Sequence, residues 1–197
     1  MIRTESFTGA AAHTFIPDIA RLRIEIFRSF PYLYEGDMEY EQDYLQTFMD
    51  APDSVVVVAF DDAKVIGAST GLPLAHETDN VKQPWQLAGF EIDKIFYYGE
   101  SVLQQEYRGQ GLGVRFFEER ESWARSLGRM EWLTFCAVVR SADHPARPFN
   151  YQPLDEFWHK RGFQAVPGLL CRMDWQDVGQ AAASSKALQF WRKPIGN

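Results

Sequence analysis

The stretch Tyr97–Leu127, YYGESVLQQEYRGQGLGVRFFEERESWARSL, constrains this chain more than any other. Its approach, roughly Ile95 to Gln104, reads as a strand. Three glycines follow at alternate positions, Gly109, Gly111 and Gly113, with Arg108, Gln110 and Leu112 between them. Beyond them Leu112, Phe116, Phe117, Trp123, Ala124 and Leu127 share one side of a 3.6-residue wheel, which predicts a helix. Strand, glycine turn and helix in that order bring bare backbone N–H groups to a helix N-terminus, where the dipole also favours an anion. Glycine removes the Cβ that would block close approach or forbid the backbone angles.

Two common phosphate loops fit poorly. A Walker loop needs GxxxxGK followed by Ser or Thr, and no lysine follows these glycines. A dinucleotide fingerprint needs GxGxxG in an early βαβ unit with an acid ending the next strand. Here the spacing is GxGxG, the site lies past mid-chain, and Glu131 would open the next strand rather than close it. The run Arg108-Gly109-Gln110-Gly111-Leu112-Gly113 resembles instead the acetyl-CoA motif [QR]xxGx[GA] of the GNAT superfamily of N-acetyltransferases, and Glu106-Tyr107 resembles the lead-in common there.

At 197 residues the chain is long enough for one domain with a substantial core. A net charge of −7 disfavours a nucleic-acid partner held by phosphate neutralisation, and is compatible with cationic substrates or with simple solubility. Cys136 and Cys171 sit in apolar runs and read as reduced core thiols. The first residues lack the basic-then-apolar pattern of a secretory signal, and no stretch approaches the ~20 apolar residues of a membrane span, so a soluble cytoplasmic protein with no membrane partner is expected.

In chain order, Ile2 to Phe7 suits a first strand, Pro17 to Phe30 and Tyr40 to Met49 two helices, and Ser54 to Phe60 with Val65 to Leu72 a hairpin. Arg23 lies in the apolar stripe of the first helix, where snorkelling or an internal ion pair accounts for it. Residues 74–93 have mixed polarity and read as an insertion or lid: a short helix and loop over the sheet, or a surface excursion. Met130 to Arg140 is apolar on both faces, as a central strand requires. A proline-rich loop, Ser141 to Pro153, precedes a short helix from Leu154 to Lys160, and Leu169–Trp175 and Ala187–Arg192 read as the last strands, with Gly179–Ser185 a mobile loop between them.

This order resembles the GNAT fold from end to end, and Trp158-His159-Lys160-Arg161-Gly162-Phe163 is similar to that family's YxxxGF helix ending. The resemblance implies a single α/β (α+β) domain over residues 1–197, with a mixed, mostly antiparallel sheet of about six or seven strands and about four flanking helices. Two parallel strands would splay beside the glycine motif and admit acyl-CoA.

What the resemblance implies for chemistry is acyl transfer from acetyl-CoA to a primary amine in a ternary complex, with no metal. The CoA diphosphate would rest on the amides from Arg108 to Gly113, including Gly109, Gln110, Gly111 and Leu112, with Arg108 as a charge partner. The pantetheine arm would pair with the strand around Val102 and Leu103, and an amide near Leu103 would polarise the thioester carbonyl. An alkylammonium has a pKa near ~10.4, so a base is needed, and Glu100 is the candidate. A solvent-facing carboxylate or an arginine partner is the other reading of Glu100. Trp158 stands where the family's proton-donating tyrosine usually stands, and an indole N–H is no acid. Tyr151, a water, or no acid at all can then serve the departing thiolate. Tyr32, Tyr34 and His144 are candidate acceptor-pocket residues, His144 being a second base or an ordinary loop histidine. Cys136 reads as core packing. The acceptor is expected to be a small molecule, homodimers are frequent in the family, and the competing reading is a non-catalytic acyl-CoA-binding module.

Overall fold

In the computed structural model, which describes residues 1–196, the chain runs β1 (Ile2–Phe7), α1 (Ala10–His13), α2 (Ile16–Phe27), α3 (Met38–Asp50), β2 (Val55–Asp61), β3 (Lys64–Pro73), α4 (Asp79–Leu87), β4 (Ile95–Leu103), α5 (Leu112–Ser126), β5 (Trp132–Val138), α6 (Asp155–His159), β6 (Gln164–Gln176) and β7 (Ala183–Pro194). The strands form one seven-stranded sheet in the order β1-β2-β3-β4-β5-β7-β6. Every neighbouring pair is antiparallel except β4 and β5.

Both faces of the sheet are covered, and the strand sequences show why. In β2, Val55, Val57 and Ala59 pack toward α5, while Val56, Val58 and Phe60 pack toward α1, α2 and α3. In β5, Leu133 and Phe135 join the α5 side, and Trp132, Cys136 and Val138 the other. A strand buried on both sides has no polar alternation, as its apolar run predicts. Asp37 caps α3 by accepting the Tyr40 N–H at 2.9 Å.

Residues 74–93 lie over the sheet. A short 3₁₀ turn, Leu74–His76, leads into α4, whose Val81 and Trp85 are fully buried. Trp85 meets Phe190 of β7 edge to face at 5.3 Å, and Asn80 donates to the Arg172 carbonyl of β6 at 3.0 Å. Strands β6 and β7 are longer than the sequence suggests, and Gly179–Ser185 is not a loop throughout, since β7 begins at Ala183. The small residues at this end are exposed on both faces, so no hydrophobic alternation marks them as strand.

Among the described residues no helix is long and apolar enough to cross a membrane.

Candidate active site

The glycine loop caps α5. Gly109 and Gly111 have φ of +77° and +86°, and Gly111 is the N-cap residue. The left-handed region is costly for residues with a Cβ, so glycine belongs at both positions. A Cβ at either would meet no heavy atom within 4 Å, so the space over the loop is open. The Val114 and Arg115 amides both donate to the Gly111 carbonyl, whereas the amides from Gly109 to Gly113 have no backbone partner among the described residues. Unpartnered amides under open space at the start of a helix of 15 residues form an anion cradle. At Gly113 the third glycine admits α6: an added Cβ would touch the Phe157 ring at 3.4 Å.

Strands β4 and β5 pair only over Ile95–Tyr97 with Trp132–Thr134, then separate. Past Tyr97 the β4 edge facing β5 is therefore open. Gln104 donates its amide to Ile66, and Val102 lies opposite Ala68. Antiparallel alternation then turns the Val102 amide and carbonyl toward β3 and those of Ser101 and Leu103 toward the open edge. Of the two residues expected to offer backbone there, Leu103 does and Val102 does not. Arg108 folds back to this edge, its Nε donating to the Leu103 carbonyl at 3.2 Å.

A bulge in the β3–β4 ladder between Ser69 and Gly71 decides where Glu100 points. Arg120 of α5 fixes it from behind: Nη1 donates to the Thr70 and Glu100 carbonyls at 3.1 and 3.3 Å, and Nη2 to Ser101 Oγ at 2.8 Å. The guanidinium lies over the Tyr98 ring at 4.1 Å, and burial lowers its pKa to about 10. Gly99 lets α3 close on the same spot, since a Cβ there would come within 2.7 Å of the Phe48 ring.

Glu100 emerges on the opposite face and binds Arg23 of α2, Nη1 to Oε2, at 2.5 Å. Arg23 Nε pairs with Glu41 of α3. Both carboxylates are sealed from water, and their Oε1 atoms have no hydrogen-bond partner among the described residues. Burial by itself would lower the Arg23 pKa, but the charges of Glu100 and Glu41 outweigh it and hold the pKa well above the ordinary value. The expected internal ion pair of Arg23 and the arginine-partner reading of Glu100 are thus the same contact.

Next to this triad polar side chains gather around the point where β4 and β5 part. Tyr97 of β4 meets Cys136 Sγ of β5 at 3.1 Å, and Glu77, Tyr44 and Tyr32 lie close enough for their charges to act on one another or on Cys136. Tyr44, Tyr32 and Cys136 are set deep in the fold, yet each keeps part of its surface open. Contact with Cys171 and burial hold the Cys136 thiol well above its usual range, so it packs rather than attacks. Among the described residues no three histidine, cysteine or carboxylate side chains are placed to share a metal ion.

The loop after α2 and the loop after β5 close the far side. Arg140 donates to the Pro31 and Tyr32 carbonyls at 2.8 and 2.7 Å and grips Asp177 with two bonds of 2.8 Å. Trp175 Nε1 adds a bond to the Tyr32 carbonyl at 3.1 Å. Phe30 gathers two of the expected pocket residues, Tyr151 edge-on at 4.7 Å and His144 at 5.7 Å. His144 Nδ1 accepts the Ala146 amide at 3.1 Å, a loop-forming bond. Burial followed by the neighbouring Glu41 raises the Tyr34 phenol, which places Tyr34 beside the Arg23 triad. Trp158 is not in this pocket; it packs against Phe135 and Trp191 at 5.0 and 4.9 Å.

Glu77, Tyr44, Arg120 and Arg140 were not singled out from sequence. Arg120 had a signal: it sits three and four residues after Phe117 and Phe116 on the apolar face of α5.

Comparison with known proteins agrees with this geometry. Three solved structures share the fold: yncA from Salmonella typhimurium with its cofactor acetyl-CoA (TM-score 0.58, 12% identity, 100% of this chain and 95% of that one); an aminoglycoside 6′-N-acetyltransferase complexed with coenzyme A (0.59, 15%, 99% and 98%); and ribosomal-protein-alanine N-acetyltransferase from Brucella melitensis (0.59, 16%, 98% and 99%). No curated protein matches the sequence. Residues 18–154 match the acetyltransferase (GNAT) family, a span that reaches from α2 through the glycine loop to the edge of α6, and the chain belongs to that family of acyl-CoA-dependent N-acyltransferases.

Proposed function

We propose that this protein transfers the acetyl group of acetyl-CoA to a primary amine of a small molecule, directly and within a ternary complex. The observation that carries the reading is the separation of β4 and β5 after three paired residues, with unpartnered amides at one end of the gap and the Tyr97–Cys136 contact, among polar side chains, at the other. The amides from Gly109 to Gly113 suit the donor's diphosphate, and Arg108 adds charge where it meets the open edge. A cleft of about 420 Å³ beside the loop, lined by Arg3, Gln110, Leu112 and Arg115, offers further room and charge for the nucleotide end. The backbone of Leu103 on the open edge can hold the pantetheine arm and polarise the thioester carbonyl, where charge develops.

A small acceptor, met by Tyr32, Tyr34, Tyr151 and His144, is the reading we favour, supported by the loop after α2 being tied down by Arg140 and carrying Phe30 against Tyr151 and His144. Among the structural neighbours one is an aminoglycoside 6′-N-acetyltransferase and another a ribosomal-protein-alanine N-acetyltransferase, so both small and protein acceptors occur on this fold. We assign protonation of the thiolate to Tyr151, whose proton burial helps to retain at neutral pH. The placement of Trp158 in the aromatic core favours a second reading, an acyl-CoA-binding module without turnover, since the usual proton donor is missing there.

A thermal-shift titration with acetyl-CoA, CoA, ATP and NAD tests the donor. Saturation at a hundredfold excess over Kd stabilises by about 2.7 kcal/mol. A shift with acetyl-CoA, followed by acetylation of a member of an amine panel, is the expected result. A shift with no turnover selects the binding module, and no shift with any CoA species removes both readings.

A further inference from the structure

We infer that Glu77 is the base that takes the proton of the acceptor ammonium, an assignment that rests on the acetyltransferase reading above. Three carboxylates lie near one another where β4 and β5 part, and two of them are spoken for. Glu41 and Glu100 share Arg23 through one oxygen each, while their other oxygens are sealed from solvent and out of reach of a ligand. Glu77 has no cation partner among the described residues. Its Oε2 accepts the Thr78 amide at 2.8 Å and the Thr78 hydroxyl at 3.2 Å. Its Oε1 has no hydrogen bond among the described residues and does not share the sealed state of Glu41 and Glu100 Oε1.

Position argues the same way. Glu77 follows the 3₁₀ turn after β3, whose last residue, Pro73, lies opposite Phe96 of β4, beside the Tyr97–Cys136 contact at the point where β4 and β5 part. The groups around it come from each neighbouring element: Tyr44 from α3, Tyr97 and Glu100 from β4, Cys136 from β5 with Cys171 of β6 behind it, and Arg23 from α2. Burial pushes the Glu77 carboxyl up to about 7, the Thr78 bonds and Arg23 oppose that rise, and the charge of Glu100 adds to it. A base of that strength is matched to proton transfer near neutrality.

The proton balance closes. The acceptor arrives as an ammonium, and Glu77 removes one proton. The freed nitrogen pair forms the N–C bond at the thioester carbonyl carbon while the C=O π pair moves to oxygen. When that pair returns, the C–S bond breaks and sulfur keeps its electrons. The second nitrogen proton passes to the thiolate, giving the amide and CoASH, and Glu77 returns its proton to solvent.

The test compares the full-length wild type with Glu77→Gln, Glu77→Asp and Glu100→Gln, using whichever amine of a primary-amine panel the wild type acetylates fastest. The wild type should show an acidic limb in kcat/KM with an apparent pKa near 7, and Glu100→Gln should keep a limb, moved to lower pH because the Glu100 charge no longer adds to the rise. Glu77→Gln should lose that limb and about 10²–10³-fold in kcat at pH 7.5, with acetyl-CoA affinity unchanged. Glu77→Asp, which guards against a folding defect, should keep a limb at a reduced rate. In the free protein, the carboxyl carbon signal that titrates near 7 should be the one missing from Glu77→Gln. A Glu77→Gln protein that keeps its rate within threefold and retains the limb overturns this inference alone. Failure of the wild type to bind acetyl-CoA overturns the acetyltransferase reading on which it stands.

Discussion

Arg23 of α2 and Glu100 of β4, set 77 positions apart in the chain, meet at 2.5 Å in a site closed to water on the carboxylate side. With Glu41 on the other edge of the guanidinium, one cation serves two buried anions. Replacing the cation leaves both anions unpaired in a medium that solvates them poorly. Arg23→Leu should destabilise the fold by about 3–5 kcal/mol at neutral pH. Urea unfolding at pH 7.5 and again at pH 4.5 checks this, because protonating the stranded carboxylates should recover part of the loss.

Glu77 makes a pH-dependent contribution of opposite kind. Its carboxyl titrates near 7 in the folded chain, against about 4.3 when unfolded. Between those values the folded form holds a proton that the unfolded form has released. Stability is therefore fully present below about pH 4 and falls as pH rises through 7. Glu77→Gln should remove that slope and leave the variant more stable at pH 8, on the order of 3 kcal/mol. Denaturation midpoints from pH 4 to 8 measure it, and parallel curves for the two proteins would contradict it.

The motif glycines differ in what they tolerate. Gly111→Ala forces a Cβ into the left-handed region and should cost roughly 1–2 kcal/mol, with weaker acetyl-CoA binding because the methyl enters the open space above the amides. Gly113→Ala has an ordinary φ inside α5, touches only the edge of Phe157, and should be neutral or up to about 1 kcal/mol stabilising. Melting curves with and without acetyl-CoA separate the two effects.

Tyr151 is held by Phe30 and by Arg147, whose guanidinium lies 4.9 Å from its ring. Tyr151→Phe keeps the ring and removes the proton, and should lower kcat about tenfold or more with little change in acetyl-CoA affinity. Single-turnover rates decide it; an unchanged rate returns the thiolate's proton to water.

What the sequence made legible was the part of the molecule governed by local rules. The apolar run of β2, the two-faced β5 and the glycine–helix junction each depend on residues within a few positions of one another, so periodicity and spacing expose them. The pocket depends on single polar residues whose partners are remote. Arg120 reaches Thr70 across 50 positions and Arg140 reaches Tyr32 across 108, and nothing in the neighbourhood of either marks the pairing. Glu77 lies in a stretch without a period, and its carboxyl is raised chiefly by burial, which no local pattern announces. Glu100 was visible as a carboxylate near the bend of a strand, while its partnership with Arg23 needed the α2–β4 contact to be seen.

The grip of Arg140 on both Asp177 and the Pro31–Tyr32 backbone has a consequence for heredity. The pocket's loop has its shape set by a strand end encoded almost at the other extreme of the gene. Recombination that exchanges the first third of such a gene alone would import a loop without its anchor, and acceptor preference would be scrambled rather than transferred. Preference should travel intact only when the loop, Arg140 and the Trp175–Asp177 end of β6 are inherited together.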